Sequence, residues 1–236
     1  MPGSDIAEEE QLDFSDPLRH LRVDDEALVP VQPPSIQRQI QNLKFGSVDL
    51  QLLVDAGPGC GGIAWPAGEV LSNYLVHRGS AYLAERHVLE LGSGTGLVGL
   101  VAAKLGSPKV IITDQSSLLN MMNQNVALNK LSDVVVPLEL DWGKELPKLE
   151  RVDMILAADC VYFEPSFPLL VETLTALSNI ASRQCEILFC YKNRRKADKR
   201  FFTLLKKTFI WSDVNDDPQS AVYRREGISL LRLTPK

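Results

Sequence analysis

The residues best suited to chemistry are an acid and three glycines that alternate along one short stretch. Residues 87–99 read His-Val-Leu-Glu-Leu-Gly-Ser-Gly-Thr-Gly-Leu-Val-Gly, so Glu90 is followed by Gly92, Gly94 and Gly96 at intervals of two. The apolar run before the turn predicts a strand, and the pattern after it predicts a helix. Glycines tolerate positive φ and carry no Cβ, so this turn lets a nucleotide-like ligand approach bare main chain. We expect the N–H groups of the turn to face that ligand.

The glycine spacing disfavours a dinucleotide as that ligand. The fingerprint Gly-x-Gly-x-x-Gly requires a third glycine where this chain has Leu97. The Glu90 carboxylate would repel a pyrophosphate but attract a cation. S-adenosylmethionine meets this requirement, because it carries a sulfonium and an ammonium and no phosphate. Taken alone, the motif also fits a glycine turn that binds nothing.

Two further candidates stand where the second and third strands are predicted to end. Ligands of open parallel sheets bind beyond the carboxyl ends of the strands. Asp114 lies 22 residues after Gly92, near the spacing at which an acid binds a ribose diol; the alternative role is a cap of the next helix. Trp142 follows the third strand and is expected to stack on or flank an adenine. Its alternative is an ordinary half-buried tryptophan.

The fourth strand is predicted to end in a small residue, an acid and an aromatic residue. Ala158 leaves room for a ligand, Asp159 ends the strand at the expected cleft, and Tyr162 follows after about one turn. The alternatives are a cap or structural ion pair for Asp159 and core packing for Tyr162. Neither His77 nor His87 is placed as a general base, and no dedicated base is assigned.

Strands and helices alternate from residue 87 onward, which predicts an α/β protein. The predicted strands are 87–91, 109–113, 134–140, 152–158, 185–191, 209–214 and 228–233. The predicted helices are 66–76, 96–105, 116–129, 166–181 and 197–207. Apolar early strands favour a parallel sheet buried on both faces. The last two strands are predicted to be joined through residues 216–220 without a helix, so the final strand is expected to run antiparallel. We therefore predict a Rossmann-like, doubly wound, seven-stranded, mostly parallel sheet with an antiparallel last strand, preceded by an N-terminal β-hairpin within residues 36–55.

Charge divides the chain into two parts. Residues 1–30 hold nine acids and two arginines, whereas the rest holds 21 acids and 23 bases. We predict an acidic, solvated tail over residues 1–34 and one globular domain over residues 35–236. The near-neutral domain does not resemble a dedicated nucleic-acid binder, so no direct nucleic-acid binding is expected.

Other features of the composition restrict the compartment and the ligands. No apolar run is long enough to span a membrane, and the acidic N-terminus has no signal-like apolar segment. The four cysteines have no metal-like spacing, so no metal is expected, and Cys160, Cys185 and Cys190 are read as reduced, mostly buried thiols. We expect a cytoplasmic protein that is a monomer.

Several of these motifs, in this order, resemble the class I, seven-strand S-adenosylmethionine-dependent methyltransferases. More narrowly, the chain resembles methyltransferase family 16, a group of lysine methyltransferases, from about residue 36 to residue 233. The resemblance is carried by the glycine motif and four shorter motifs: Trp65-Pro66-Ala67, Thr113-Asp114, Trp142-Gly143 and Asp159-Cys160-Val161-Tyr162. It implies a cofactor site formed by Trp65, Gly92, Ser93, Gly94, Asp114, Trp142 and Ala158. The charge and the glycine turn add Glu90 and Gly96 to this predicted site. It implies that Asp159 and Tyr162 lie where methyl donor meets acceptor.

The resemblance also implies a function. Within the family the chain is most similar to fungal enzymes that methylate a lysine of translation elongation factor 1-alpha. The expected activity is therefore protein-lysine methylation with S-adenosylmethionine as cofactor and a protein as substrate. The alternatives are another acceptor, such as a protein histidine, glutamine, N-terminal amine or nucleic acid, or a catalytically silent cofactor-binding module.

Overall fold

A computed structural model describes residues 38–55, 60–182, 184–194 and 198–236. The predicted acidic tail lies outside these residues. The strands are β1 (Gln39–Phe45), β2 (Val48–Val54), β3 (His87–Leu91), β4 (Lys109–Asp114), β5 (Val135–Glu139), β6 (Met154–Ala158), β7 (Glu186–Lys192), β8 (Phe209–Asp213) and β9 (Ile228–Pro235). The α-helices are α1 (Pro66–Arg78), α2 (Leu97–Lys104), α3 (Ser116–Leu128), α4 (Phe167–Ile180), α5 (Asp198–Leu205) and α6 (Ser220–Arg225).

The main sheet has seven strands in the order β5-β4-β3-β6-β7-β9-β8. Neighbouring strands from β5 to β7 pair in parallel, whereas β9 pairs antiparallel with both β7 and β8. This confirms the predicted sheet with six parallel strands and one antiparallel strand. The chain leaves β3 toward β4 on one side and later returns to β6 on the other. The carboxyl end of β3 is therefore the switch point at which ligands bind in such sheets.

Both faces of the sheet are covered, as the apolar strands predicted. Alternate residues of β4 point to opposite sides, so Val110 and Ile112 join one apolar cluster and Ile111 joins the other. The first cluster includes residues of α1, α2 and α3, and the second includes residues of α4 and α5. Cys160 and Cys190 are buried free thiols and Cys185 is half-buried.

The predicted hairpin is confirmed. Two amide side chains of the α3 segment hydrogen-bond the edge of β2 that does not pair with β1. β1 and β2 pair antiparallel through a two-residue turn. Asn125 of α3 bonds both main-chain groups of Leu53, and Asn129, one helical turn later, bonds both main-chain groups of Gln51. The Asn125 amide also donates to the Thr95 carbonyl, 2.9 Å away. The hairpin is thus tied through α3 to the glycine turn.

One element differs from the prediction. The segment before β9 contains the six-residue helix α6, where the sequence predicted only a loop. Asp217 begins this turn by accepting the Gln219 N–H through its side chain and the Ser220 N–H through its carbonyl. Tyr223 is the buried residue of α6. With so few residues the helix is too short to produce a visible apolar period.

No helix of the described residues is long and apolar enough to cross a membrane.

Candidate active site

A cavity of about 650 Å³ opens at the carboxyl ends of the parallel strands. Its volume lies within the range typical of small-molecule sites. Ten of the eleven residues predicted for the site line it: Trp65, Glu90, Gly92, Ser93, Gly94, Asp114, Trp142, Ala158, Asp159 and Tyr162. The exception is Gly96, which is the N-cap of α2 and is not among the lining residues. Gly96 therefore shapes the turn rather than the wall of the cavity.

The glycine turn needs glycine for two separate reasons. Gly92 and Gly94 have φ of +64° and +54°, a region that costs other residues conformational energy. A Cβ on Gly92 would lie 2.9 Å from the Cys160 Sγ and 3.0 Å from the Trp142 ring. A Cβ on Gly94 would lie 2.6 Å from the Gly61 carbonyl oxygen. The turn is thus packed on its protein side while it lines the cavity on the other.

Glu90 is buried beneath this turn, and its carboxyl group faces the start of α2. Its Oε2 atom accepts the Gly99 N–H at 2.8 Å, a favourable place for negative charge because the helix N-terminus is electropositive. Burial nevertheless raises the pKa of Glu90 to about 8, although hydrogen bonds from Gly99, Ser93 and Val98 pull it down. The sequence predicted an anion at Glu90. Burial makes the neutral acid the main form at pH 7 in the cofactor-free protein.

Asp114 lies at the end of β4 with both oxygens already hydrogen-bonded. Oδ2 accepts the Gly94 N–H at 2.7 Å and Oδ1 accepts the Gln115 N–H at 2.8 Å. Burial raises the pKa of this carboxyl group, against those two bonds. A carboxylate has about four acceptor positions, so two remain for the hydroxyls of a ribose. The alternative role as a helix cap finds no support, because α3 has Gln115 at its N-cap and no side-chain cap bond.

Two tryptophans line the cavity. Trp142 is half-buried and lies against Gly92, so its ring forms part of the wall beside the turn. Trp65 is the residue before α1, which starts with Pro66, and its half-buried ring also lines the cavity. Flat apolar surfaces of this kind suit the stacking of an adenine or the packing of an aliphatic side chain.

Asp159 is the most constrained of the predicted residues. It has a left-handed backbone with φ of +54°, which is rare for residues other than glycine. Its Oδ1 accepts the Lys192 N–H and an N–H of Arg194, each at 3.0 Å, and its Oδ2 accepts the Ala67 N–H at 3.2 Å. The carboxylate thus joins the ends of β6 and β7 to the start of α1. The structural ion pair that the sequence left open is present, and the same side chain also lines the cavity.

Ala158 and Tyr162 complete the strand-end motif. Ala158 is half-buried at the end of β6, paired in register with Cys190 of β7. Tyr162 is half-buried and lines the cavity together with Phe163. The small side chain of Ala158 leaves space at the strand end, and the ring of Tyr162 forms part of the cavity wall.

A family model described as lysine methyltransferase matches residues 44–208, which is more than half of the chain. The chain belongs to this family. Protein-lysine N-methyltransferase EFM6 of Saccharomyces cerevisiae is 37% identical over 213 residues, which cover 79% of this chain and 86% of the yeast protein. Protein N-lysine methyltransferase METTL21A of Mus musculus is 37% identical over 209 residues, which cover 84% and 94%. The predicted family and enzyme class are confirmed: the chain is an S-adenosylmethionine-dependent protein-lysine methyltransferase.

Solved structures of other methyltransferases share the fold of this lysine methyltransferase. The 16S rRNA N2 G1207 methyltransferase RsmC of T. Thermophilus, in complex with AdoMet and guanosine, superposes with a TM-score of 0.63 at 18% identity, covering 86% of this chain and 52% of that one. Ribosomal protein L11 methylase of Lactobacillus delbrueckii gives 0.53 at 18% identity, covering 74% and 81%. At this identity the comparison shows the fold alone.

The chemistry of the cavity fits S-adenosylmethionine. Carboxyl groups of Asp114 and Asp141 line it, as expected for a ligand that carries positive charge and no phosphate. Glu90 lines it too, and a bound cation would favour the ionised form of its carboxyl group. At Gly92 and Gly94 the turn leaves no room for a side chain, so main chain forms that part of the wall. Gly99 allows α2 to pack closely against β4, because a Cβ added at Gly99 would lie 2.3 Å from a side-chain atom of Ile112.

Sequence reasoning missed several lining residues: Leu118, Lys144, Phe163, Leu169 and Arg194. Most lie on helices or loops outside the strand-end motifs. Arg194 follows β7, and its position just past a predicted strand end was the signal that could have identified it.

Proposed function

We propose that this methyltransferase transfers methyl groups to a lysine of translation elongation factor 1-alpha. The proposal is supported by the resemblance to fungal enzymes of that specificity and by the extended identity with a yeast protein-lysine methyltransferase. The observation that carries the chemistry is the buried, ion-paired Asp159 on the wall of the cofactor cavity, at the strand end where small residues leave room.

The cofactor end of the cavity is assigned to the glycine turn and the residues around it. The free acceptor positions of Asp114 suit a ribose diol, and the ring of Trp142 suits an adenine. We place the methionine portion near Trp65 and Ala158, with Glu90 beneath the turn, where a nearby cation would favour its ionised form. When bound, S-adenosylmethionine supplies a methyl group on a sulfonium, and its leaving group is a neutral thioether.

The acceptor end must receive a neutral amine. A lysine side chain has a pKa near 10.4, so only roughly one in a few thousand is neutral at pH 7. Asp159 has about four acceptor positions and uses three for Ala67, Lys192 and Arg194. The remaining position on Oδ2 can accept one N–H of the amine and fix its direction. Tyr162 bounds the pocket and restricts the approach of the amine. Fixing two reacting groups in this way can supply roughly 7–11 kcal/mol.

We assign residues 35–236 to the catalytic domain, with the acidic residues 1–34 outside it. We expect a cytoplasmic monomer that acts on protein. We expect no direct binding of nucleic acid, because the domain is nearly neutral.

The substrate is tested with radiolabelled cofactor, purified elongation factor 1-alpha, and lysate from cells that lack this protein. We expect label on elongation factor 1-alpha in both reactions, on lysine. Label on a different lysate protein alone would contradict the substrate. A complete lack of label would favour the silent cofactor-binding module.

The role of Asp159 is tested with Asp159→Ala and Asp159→Asn. Transfer should be abolished in Asp159→Ala and fall at least a hundredfold in Asp159→Asn, with cofactor affinity by calorimetry within about threefold. The control is Asp153→Ala at the other end of β6, since Asp153 also accepts a backbone N–H and an arginine N–H. This control should retain its activity. Normal turnover in folded Asp159→Asn would remove Asp159 from the chemistry.

A further inference from the structure

Arg194 is a buried cation that lines the active-site cavity. Neither the glycine motif nor the strand-end motifs of the family assign it a role. Its side chain is only 9% exposed, and that of its partner Asp159 is 3% exposed. The guanidinium Nη1 lies 3.0 Å from the Asp159 Oδ1, and the Cζ atom lies 5.4 Å from the centre of the Trp65 ring. Its backbone N–H donates to Asp198 at 3.0 Å, which fixes the main chain beneath it.

The ion pair changes what an approaching lysine meets. A bare, buried carboxylate would bind the ammonium form and raise the pKa of the lysine, because an opposite charge favours the charged state. A guanidinium beside the carboxylate largely cancels that effect. A cation close to an amine also favours loss of the amine's proton, which is how some enzymes activate lysines. The pair therefore retains the hydrogen-bond acceptor while removing the net negative charge.

We propose that Arg194 is a positioning residue that keeps Asp159 ion-paired, so that the acceptor end admits lysine as a neutral amine. The proposal rests on the proposed function, because it needs Asp159 to face the acceptor. Arg194 acts through Asp159 and takes no proton. The proton lost by the lysine passes to solvent before the N–C bond forms and the C–S bond breaks.

Other charged or titratable groups lie on the cavity wall and on the elements that hold this pair, and they stay unchanged in the test. Those lining the cavity from β3, β4 and the segments after β5 and β6 are Glu90, Asp114, Asp141, Lys144, Cys160 and Tyr162. Glu69 lies in the first turn of α1, Cys190 and Lys192 lie on β7, and Asp198 begins α5. In the described part of the chain, Arg194 is the side chain that forms an ion pair with Asp159.

The test compares Arg194→Gln and Arg194→Lys with wild type across pH 6 to 10. In Arg194→Gln the acidic limb of the kcat profile should move to higher pH by about one unit or more. At pH 7, kcat should fall about tenfold or more while KM for the acceptor stays level or falls, because the uncovered carboxylate holds the ammonium form. Arg194→Lys restores the charge, so it should return the limb to within about half a unit of wild type.

Two further measurements separate this effect from a loss of structure. Affinity for S-adenosylhomocysteine by calorimetry should stay within about threefold in both variants. Affinity for the acceptor protein, measured by interferometry with S-adenosylhomocysteine present, should be equal or tighter in Arg194→Gln at pH 7. The control is Arg200→Gln, since Arg200 also pairs with an acid, Glu164, but lies outside the cavity lining. In this control the acidic limb of the kcat profile should stay at the same pH as in wild type.

The proposal is overturned if Arg194→Gln lowers kcat by the same factor at every pH. It is also overturned if Arg194→Lys, which carries the same charge as wild type, loses as much activity as Arg194→Gln. The same holds if both variants fail to fold, because Arg194 would then be needed for the structure rather than for the charge at Asp159. The proposed substrate can fail separately: if wild type labels another lysate protein, the profile is measured on that protein, and the position of the limb still decides the role of Arg194.

Discussion

Replacing the Glu90 carboxyl group by the amide of glutamine is expected to stabilise the cofactor-free protein, increasingly so as the pH rises. Glu90 is 3% exposed, and burial raises its pKa to about 8, against its hydrogen bonds from Gly99, Ser93 and Val98. In the unfolded chain the group ionises near pH 4.5. Between these values the folded protein holds a proton that the unfolded chain releases, so stability falls as the pH rises.

The magnitude follows from the width of that window. Each pH unit inside it costs the folded state about 1.4 kcal/mol. From pH 5 to pH 8 the three units amount to about 4 kcal/mol, and above pH 8 the cost stays constant. Below pH 4.5 both states are protonated, so the group contributes no pH dependence there. Glu90→Gln retains a carbonyl oxygen for the Gly99 N–H and has no proton to lose.

The assay is urea unfolding of the cofactor-free protein at pH 5, 6, 7, 8 and 9. The difference in unfolding free energy between Glu90→Gln and wild type should grow by about 4 kcal/mol from pH 5 to 8, then level off. Glu186→Gln is the control: it should lower the unfolding free energy by an amount that stays level from pH 5 to 9, because the group titrates at or below pH 4.5 in both states. Burial raises the pKa of Glu186, but bonds from Tyr82, Arg86 and Arg232 outweigh burial and hold it below its usual value. A pH-independent difference for Glu90→Gln would refute the assignment of a buried, neutral acid.

Two further changes test the cofactor end of the cavity. Asp114→Ala should weaken cofactor affinity by about 1.5–3 kcal/mol, and calorimetry showing unchanged affinity would contradict the ribose assignment. Gly92→Ala should destabilise the fold by roughly 1–3 kcal/mol and weaken cofactor binding, because the added Cβ meets Cys160 and Trp142. Gly79→Ala is its control, with φ of +77° but nothing within 4 Å: it should show strain in thermal unfolding and normal cofactor affinity. Equal losses of affinity in the two variants would mean that backbone strain, not the contact with Trp142, matters.

Short sequence patterns were sufficient to predict the sheet and the strand-end residues of the cavity. Continuous apolar runs located the early strands, and the loop predicted before the last strand, without a crossover helix, indicated that this strand runs antiparallel. Because the carboxyl ends of parallel strands meet at one edge, residues at strand ends could be grouped before any contact was known. Ten of the eleven predicted residues line the cavity, and nine of these lie at or just after strand ends; the tenth is Trp65, which precedes α1. Gly96 does not line it, because it is the N-cap of α2.

Other features depended on contacts between distant parts of the chain. Helix α6 has a single buried residue, Tyr223, so its sequence carries no period. Asn125 and Asn129 look like ordinary polar residues of a helix, yet they occupy the edge of a strand more than 70 residues away. Their role follows from the docking of the hairpin on α3, which no local pattern encodes.

The sequence by itself determined which strand-end residues line the cavity and which cofactor they suit, because residue spacing and the order of strands and helices can be obtained from local patterns. Only the tertiary structure decided the charge state of that site. Burial makes Glu90 a neutral acid, and the approach of β7 to β6 gives Asp159 a guanidinium partner, Arg194, 35 residues further along the chain. Protonation and ion pairing depend on solvent exclusion and on distances between side chains, and these exist only once the strands have come together.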